Sequence, residues 1–274
     1  MPSLVDGMLF AFSAACFAVS MDCLSLSVVI ITLNEETNLA RTLPSVAWAD
    51  EIVVLDSGST DRTREVAESF GAKFFVEPWK GFAAQKNSAL AKANGDWILS
   101  LDADEEVEPA LGQEIRDVLA ANPSLAGFSI PRKNFFLGRW MKHGGFYPDP
   151  KLRLFRRGAA TFEERLVHED AKLSGPFARL QHNLLHDSYP TLESYIEHMN
   201  RYSSLGAEMA VAKRPGGFSL IDIVLRPKLT FLYNYLLRGG FLDGREGLLL
   251  HAYHATYVSW KYAKAWELGT KRRR

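Results

Sequence analysis

Leu26 to Ile31 reads LSVVII, a short apolar β-branched run with no alternation, the pattern of a strand buried on both faces. The polar turn Thr32-Leu33-Asn34-Glu35-Glu36 follows, and then Leu39, Leu43 and Val46 recur at helical spacing. Glu51 to Leu55 (EIVVL) predicts a second buried strand, ending in Asp56-Ser57-Gly58-Ser59-Thr60-Asp61. Arg62 to Phe70 predicts a helix with Gly71 at its C-cap, Lys73 to Val76 a third strand, and Gly81 to Ala93 another helix. Trp97 to Leu101 predicts a fourth strand, running into Asp102-Ala103-Asp104. Strands alternating with short helices imply an α/β fold: a mostly parallel sheet with helices on both faces. Ligands on such sheets bind at the carboxyl ends of the strands, where three of these polar turns fall.

After Pro109 the pattern loosens. Leu111 to Leu119 reads as a helix, and Gly127–Pro131, Leu152–Phe155 and Thr161–Phe162 read as strands. Pro190 and Thr191 make a helix start. The Pro/Gly break within 212–217 divides a domain spanning 25–211 from a C-terminal tail spanning 212–274, with Pro227, Gly239 and Gly240 as further breaks. Residues 1–24 form an N-terminal extension to which the sequence assigns no role. Its apolar stretch Met8–Val19 has no preceding Lys or Arg, unlike a secretory signal, and Met21 offers a second start.

With 274 residues, 47% hydrophobic and 23% charged, the chain can bury a large core, which excludes a disordered or fibrous class. Two cysteines, Cys16 and Cys23, exclude a disulfide scaffold and a cysteine zinc site, and both are expected reduced. No uncharged apolar run reaches the roughly 18 residues of a membrane span. The net charge of +0 hides an asymmetry: residues 1–130 hold 19 Asp+Glu against 8 Lys+Arg, and residues 131–274 hold 13 against 24. An acidic front half suits a cation, and a basic back half suits phosphates or an anionic membrane surface.

Asp102 and Asp104 flank one alanine at a strand end. On an extended chain both carboxylates would point the same way, about 7 Å apart. They would repel unless a hard cation such as Mg²⁺ or Mn²⁺, shared with phosphates, neutralised them. The other reading of Asp102-Ala103-Asp104-Glu105-Glu106 is a solvated turn and the acidic first turn of the next helix. Gly58, Thr60 and Asp61 suit a turn and a helix start. Asp56, a carboxylate ending an apolar strand, is not explained that way and suits a hydrogen bond from a nucleobase N–H.

Four segments, SVVIITLNEETNLARTLPSV, VVLDSGSTDRT, GFAAQKNSAL and GDWILSLDADEEV, stand in the order and spacing of family 2 glycosyltransferases, and over residues 26–115 the chain closely resembles that family. LRLFRR, LVHED and LLHDSYPTLESYIEHMNRYS are similar to the continuation in bacterial enzymes that glycosylate the lipopolysaccharide core, of the β-1,4-glucosyltransferase type. The resemblance implies a GT-A nucleotide-sugar fold, an inverting reaction and a UDP-sugar donor. It implies that Thr32, Asn34 and Glu35 border the uridine, that Asp56 holds the base, that Lys86 stands near the pyrophosphate, that Asp102 lies by the ribose and that Asp104 of the DxD motif binds the metal.

An inverting transfer needs one carboxylate base to take the acceptor's proton, with a metal stabilising the leaving nucleoside diphosphate. In the second half Glu163/Glu164, Glu169 and Asp170 compete. Val167-His168-Glu169 matches the segment where the core transferases carry a His-Glu pair, which makes Glu169 the expected base. His168 either orients it, meets the acceptor or packs structurally. His186, after an apolar pair, is either a late metal ligand or a structural histidine. Arg153 and Arg156 meet phosphates or acceptor, or form an ordinary basic surface.

Residues 213–274 hold 12 Lys+Arg against 4 Asp+Glu, interleaved with Phe218, Ile221, Val224, Phe231, Tyr233, Tyr235, Phe241, Tyr257 and Trp260. No nucleic-acid motif accompanies them, so nucleic acid is not expected as a partner. Amphipathic helices lying on an anionic bilayer fit the composition; the alternative is helices packed on the catalytic domain. The expected protein is a transferase peripheral on the cytoplasmic face of the inner membrane, with a lipid-linked saccharide acceptor. Transfer to polyprenyl phosphate and a catalytically inactive nucleotide-binding scaffold are the competing readings.

Overall fold

A computed structural model describes residues 24–163, 171–214 and 218–271. The front half runs β1 Leu26–Thr32, α1 Glu36–Val46, β2 Glu51–Asp56, α2 Thr63–Ser69, β3 Lys73–Val76, α3 Phe82–Leu90 and β4 Trp97–Asp102. β5 Glu105–Val107, α4 Pro109–Ala120, β6 Gly127–Ile130, β7 Arg132–Phe136, β8 Arg139–Trp140, β9 Lys151–Arg156 and β10 Ala160–Phe162 follow. The chain continues with β11 Ala171–Leu173, β12 Phe177–Arg179, β13 Leu184–Tyr189, α5 Leu192–Lys213, α6 Arg226–Leu232 and α7 Gly244–Lys271.

The central sheet has seven strands in the order β12-β6-β9-β4-β1-β2-β3. β1 to β4 are mutually parallel, and β9 is the antiparallel strand between β4 and β6. The apolar runs are continuous because both faces are covered. Val28, Ile30, Val54 and Leu99 pack against Leu39 and Leu43 of α1 and Leu111 and Ile115 of α4. Val29, Val53, Leu55 and Ile98 face the other way, against Ala89 of α3. The mostly parallel α/β sheet with helices on both faces, followed by a helical C-terminal segment, is the architecture expected from the sequence.

The chain leaves β1 toward β2 and β3 on one side and returns to β4 on the other, so a crevice opens at the carboxyl ends of β1 and β4. A second sheet, ordered β5-β13-β7-β8, stands beside it. Its pairing of His186 with Glu105, and of His186 with Asn134, brings distant segments to the crevice.

Three local expectations change. β4 ends at Asp102 and the chain turns at Ala103-Asp104, so the two aspartates do not share one face of a strand. Glu105 and Glu106 belong to β5 rather than to a helical first turn, because Pro109 starts α4 and Ala103, Glu105 and Val107 alternate inward. Pro227 is likewise no break. The helix continues through it, and Ile223 O, which loses its helical donor at Pro227, accepts from Ser259 Oγ (2.9 Å) instead.

Candidate active site

Thr32, Asp56 and Asp102 end adjacent parallel strands, with Thr32 opposite Asp56 and Ile31 opposite Asp102. The Asp56 carboxylate is buried. Its Oδ1 accepts from Thr32 Oγ1 (3.1 Å) and Ser59 Oγ, and its Oδ2 accepts from the N–H groups of Gly58 (2.7 Å) and Ser59 (2.8 Å). These bonds use the acceptor capacity of a carboxylate. In this conformation Asp56 shapes the turn, whose Gly58 has φ 103°, and contact with a base would require Ser59 to swing away.

Asn34 adopts a left-handed φ of 56°, which its short side chain tolerates. Its Oδ1 accepts from Thr60 N–H (2.8 Å) and its own N–H donates to Ser59 Oγ (2.7 Å). Thr32, Asn34 and Asp56 therefore knit the loops after β1 and β2 into one rim. Glu35 joins that rim through its N–H to Thr63 Oγ1 (2.8 Å). Burial raises the Glu35 carboxyl above the usual range; the Asn38 hydrogen bond opposes this, and the charges of Asp104 and Asp61 add to it.

Beneath the rim runs a chain of alternating charge. Lys86 Nζ donates to Asp102 Oδ1 (2.7 Å), and Arg153 Nη2 donates to Asp102 Oδ2 and to Glu105 Oε1 (2.7 Å). Arg132 continues it, donating to Glu105 Oε1 (2.9 Å) and Asp149 Oδ2 (2.6 Å). Burial alone would raise the Asp102 carboxyl, but the Arg153 and Lys86 charges outweigh it and hold it well below the usual range. Burial would lower the Arg153 guanidinium, and Asp102 and Glu105 reverse that and raise it. Glu105 is fully buried and also accepts the Asp102 N–H (3.0 Å), so it fixes the carboxyl end of β4 from below.

Asp104 stands outside this compensated chain. Its Oδ2 lies 3.4 Å from His186 Nε2. Burial works to raise the Asp104 carboxyl, but the His186 hydrogen bond and charge prevail and lower it, against repulsion from Asp102. The tautomer of His186 follows from its neighbours. Asn134 Nδ2 donates to Phe146 O (3.0 Å), so Asn134 Oδ1, 2.7 Å from His186 Nδ1, accepts a proton from that nitrogen. Nε2 then faces the Asp104 carboxylate, with Ser188 Oγ 3.1 Å away as its other neighbour, so a proton or a cation can bridge the two groups. Asp104, His186 and Glu35 form an anion-rich corner that suits a hard divalent ion. Among the described residues no three His, Cys, Asp or Glu side chains converge on one point, so substrate oxygens would complete the coordination.

A cavity of about 290 Å³ adjoins His186, lined by Arg132, Asn134, Phe146, Asp149 and Tyr189 among others. Asp149 is a weak base there. Burial would raise its carboxyl, but Arg132 and Lys151 hold it below the usual range.

The structure brings Thr32, Asn34, Glu35, Asp56, Lys86, Asp102, Asp104, Arg153 and His186 together. It does not bring Arg156, which pairs with Trp97 at the opposite end of β4, donates to Leu125 O (3.2 Å) and Pro123 O, and lies over the Trp97 ring. Arg156 is a structural residue, and its spacing of three from Arg153 places it on the other side of the strand's far end. Arg153 reaches Asp102 and Glu105 rather than open solvent. The expected base Glu169, with His168, Glu164 and Asp170, lies outside the described residues. Sequence reasoning missed Glu105, Arg132 and Asn134. For Glu105 a signal existed: the alternation Ala103, Glu105, Val107 is that of an inward-facing strand.

The model of the glycosyl transferase family 2 matches residues 27–173, and the chain belongs to that family. It is 32% identical to the lipopolysaccharide core biosynthesis glycosyltransferase LpsC of Rhizobium meliloti, over 89% of this chain and 93% of that protein. An uncharacterised glycosyltransferase of Rickettsia typhi is 31% identical, over 90% of this chain and 89% of the relative. Among solved structures, TarS of S. aureus in complex with UDP is similar with a TM-score of 0.47 and 18% identity, over 91% of this chain and 92% of the other.

Proposed function

We propose that this protein transfers a sugar from a UDP-sugar to a lipid-linked saccharide of the lipopolysaccharide-core type, with inversion. The observation that carries the reading is the Asp104–His186 pair: a carboxylate oxygen and an imidazole nitrogen 3.4 Å apart, beside the carboxyl ends of the parallel strands. Membership of family 2 and the likeness to LpsC support the reaction class and the acceptor class.

In this reading Asp104 and His186 would hold a Mg²⁺ or Mn²⁺, which would supply charge stabilisation for the departing nucleoside diphosphate. Asn134 keeps His186 in the tautomer that presents Nε2. Lys86 lies with Asp102 near the ribose and pyrophosphate, and Arg153 keeps Asp102 ionised. The rim of Thr32, Asn34 and Glu35 borders the uridine, and Asp56 either shapes that rim or accepts from the base. Phe146 and Tyr189 offer apolar walls to an acceptor sugar in the cavity beside His186. Glu169 takes the acceptor's proton as its oxygen attacks the anomeric carbon, and no covalent enzyme intermediate forms.

A panel of UDP-sugars with Mg²⁺ or Mn²⁺ and a purified core saccharide tests this. Acceptor-dependent release of UDP from one donor is expected. Transfer to polyprenyl phosphate instead, or no release with any donor, contradicts it.

A further inference from the structure

From Leu220 to Leu237 the chain is one uninterrupted helix, in which looser π-turns at Ile221–Leu225 and Tyr233–Leu237 flank α6. Ile221, Leu225, Leu229, Tyr233 and Leu237 recur every four residues, and all are exposed. That spacing is longer than the 3.6-residue α-turn, and the π-turns wind the helix to match it, so the apolar stripe stays on one side. Leu220 is 77% exposed and Leu237 80%. The opposite side, with buried Asp222 and Pro227, packs on α7. A solvent-facing apolar stripe of this length marks an interaction surface.

The charges around it indicate the occupant. Arg226, Lys228 and Arg238 are exposed along the same stretch of chain, Asp222 and Asp243 are buried, and the partly exposed Glu246 pairs with Arg139. At its amino end lies a cavity of about 440 Å³ lined by Lys213, Arg214, Arg226 and Lys261, with Phe218 and Tyr262. The acid in its lining, Asp222, is held by Arg214 and Arg226 at 3.2 Å each. The cavity therefore carries a net positive charge and opens onto an apolar helix.

We propose that residues 220–242 lie in the interfacial plane of an anionic bilayer, with the stripe among the acyl chains and a phosphate headgroup in the Lys213–Lys261 cavity. Apolar burial and attraction to anionic lipid act together in such helices. The carboxyl end of the same helix braces the active-site side of the molecule. Gly144 N–H donates to Arg238 O (2.9 Å), and a Cβ on Gly145 would fall 2.2 Å from Arg238. Gly145 and Phe146 line the cavity beside His186. Docking thus holds that cavity at the membrane surface. This consequence for a lipid-linked acceptor rests on the function proposed above; the docking itself does not.

Co-sedimentation of the full chain with phosphatidylcholine vesicles, with and without phosphatidylglycerol, tests the docking without any activity measurement. Binding to the anionic vesicles is expected. Leu220→Glu/Leu237→Glu should reduce it at least ~10-fold, while Lys213→Glu/Lys261→Glu should remove the preference for phosphatidylglycerol. Free glycerol phosphate should compete little, because a headgroup outside a bilayer lacks the apolar contribution. Unchanged binding in both variants overturns the proposal. So does failure of the wild type to bind anionic vesicles at low salt, or a self-association in solution that Leu220→Glu/Leu237→Glu abolishes, which would make a second copy the occupant. Full competition by glycerol phosphate would reduce the site to a soluble-anion site. Circular dichroism melts confirm that each variant is folded.

Discussion

His186 Nε2 stands 3.4 Å from Asp104 Oδ2, and the pairing of β5 with β13 sets that distance. The Asp187 N–H donates to Asp104 O (3.2 Å), so the backbone of one strand holds the turn that carries the aspartate. The contact is therefore built into the sheet rather than left to two mobile side chains. The neighbouring Asp102, by contrast, has its charge cancelled by Lys86 and Arg153.

Arg153 is predicted to be a stability residue as well as a site residue. Arg153→Met leaves Asp102 and buried Glu105 short of a partner, and removing one member of a buried ion pair typically costs about 3–5 kcal/mol. Chemical denaturation should show a loss of that order. Arg153→Lys should recover only part, since one ammonium cannot reproduce the forked contact. Arg156→Ala should cost about 1–3 kcal/mol through its lost carbonyl partners and leave the donor KM unchanged.

Much of this was legible in the chain. β1 to β4 were readable because strands covered on both faces are continuous apolar runs, and the turns after β1, β2 and β4 were readable as ligand-facing because parallel strands expose their carboxyl ends. β5 and β13 were not. EEV and LLHDSY are short and rich in polar residues, and they become strands only by pairing with each other and with β7. Glu105 consequently looked like an exposed helix-start acid, although it is the buried centre of the Arg132–Arg153 network. The two faces of the C-terminal helices were likewise undivided in the sequence. Phe231 and Tyr235 turn inward, while leucines that drew no attention face solvent.

The base makes a separate prediction. Glu169→Gln keeps shape and polarity but cannot take the acceptor's proton. Transfer should slow by at least ~100-fold, the low end of general-base contributions, with UDP-sugar binding near normal. A variant with close to the wild-type rate and a normal melt would move the role to Asp170 or Glu164.

His251 predicts a pH dependence of stability. The ring is 1% exposed, neither nitrogen has a hydrogen-bond partner, and it packs against Phe146. Burial, with the nearby His254 charge, lowers its pKa to about 4, against the opposing pull of Asp243. An unfolded histidine titrates near ~6.5. Above that pH the group is neutral in both states and contributes nothing. As pH falls from ~6.5 toward 4 only the unfolded chain takes the proton, so stability drops, by up to about 3 kcal/mol in total. Thermal melts across this window should show the decline, and His251→Phe should flatten it. Glu51 acts at lower pH. Burial would raise its carboxyl, but the Asn94 and Lys73 hydrogen bonds prevail and lower it to about 2, so its contribution fades below ~4.3.

The most direct test of the central claim is calorimetric titration of UDP into wild type and Asp104→Asn, each with Mn²⁺ and with EDTA. If Asp104 and His186 hold a metal on the donor diphosphate, Mn²⁺ should tighten UDP binding to the wild type at least ~10-fold and do little for the variant, whose carboxamide is a far weaker ligand for a hard cation. Equal UDP affinity with and without Mn²⁺ in the wild type, or an undiminished Mn²⁺ effect in Asp104→Asn, would contradict the account.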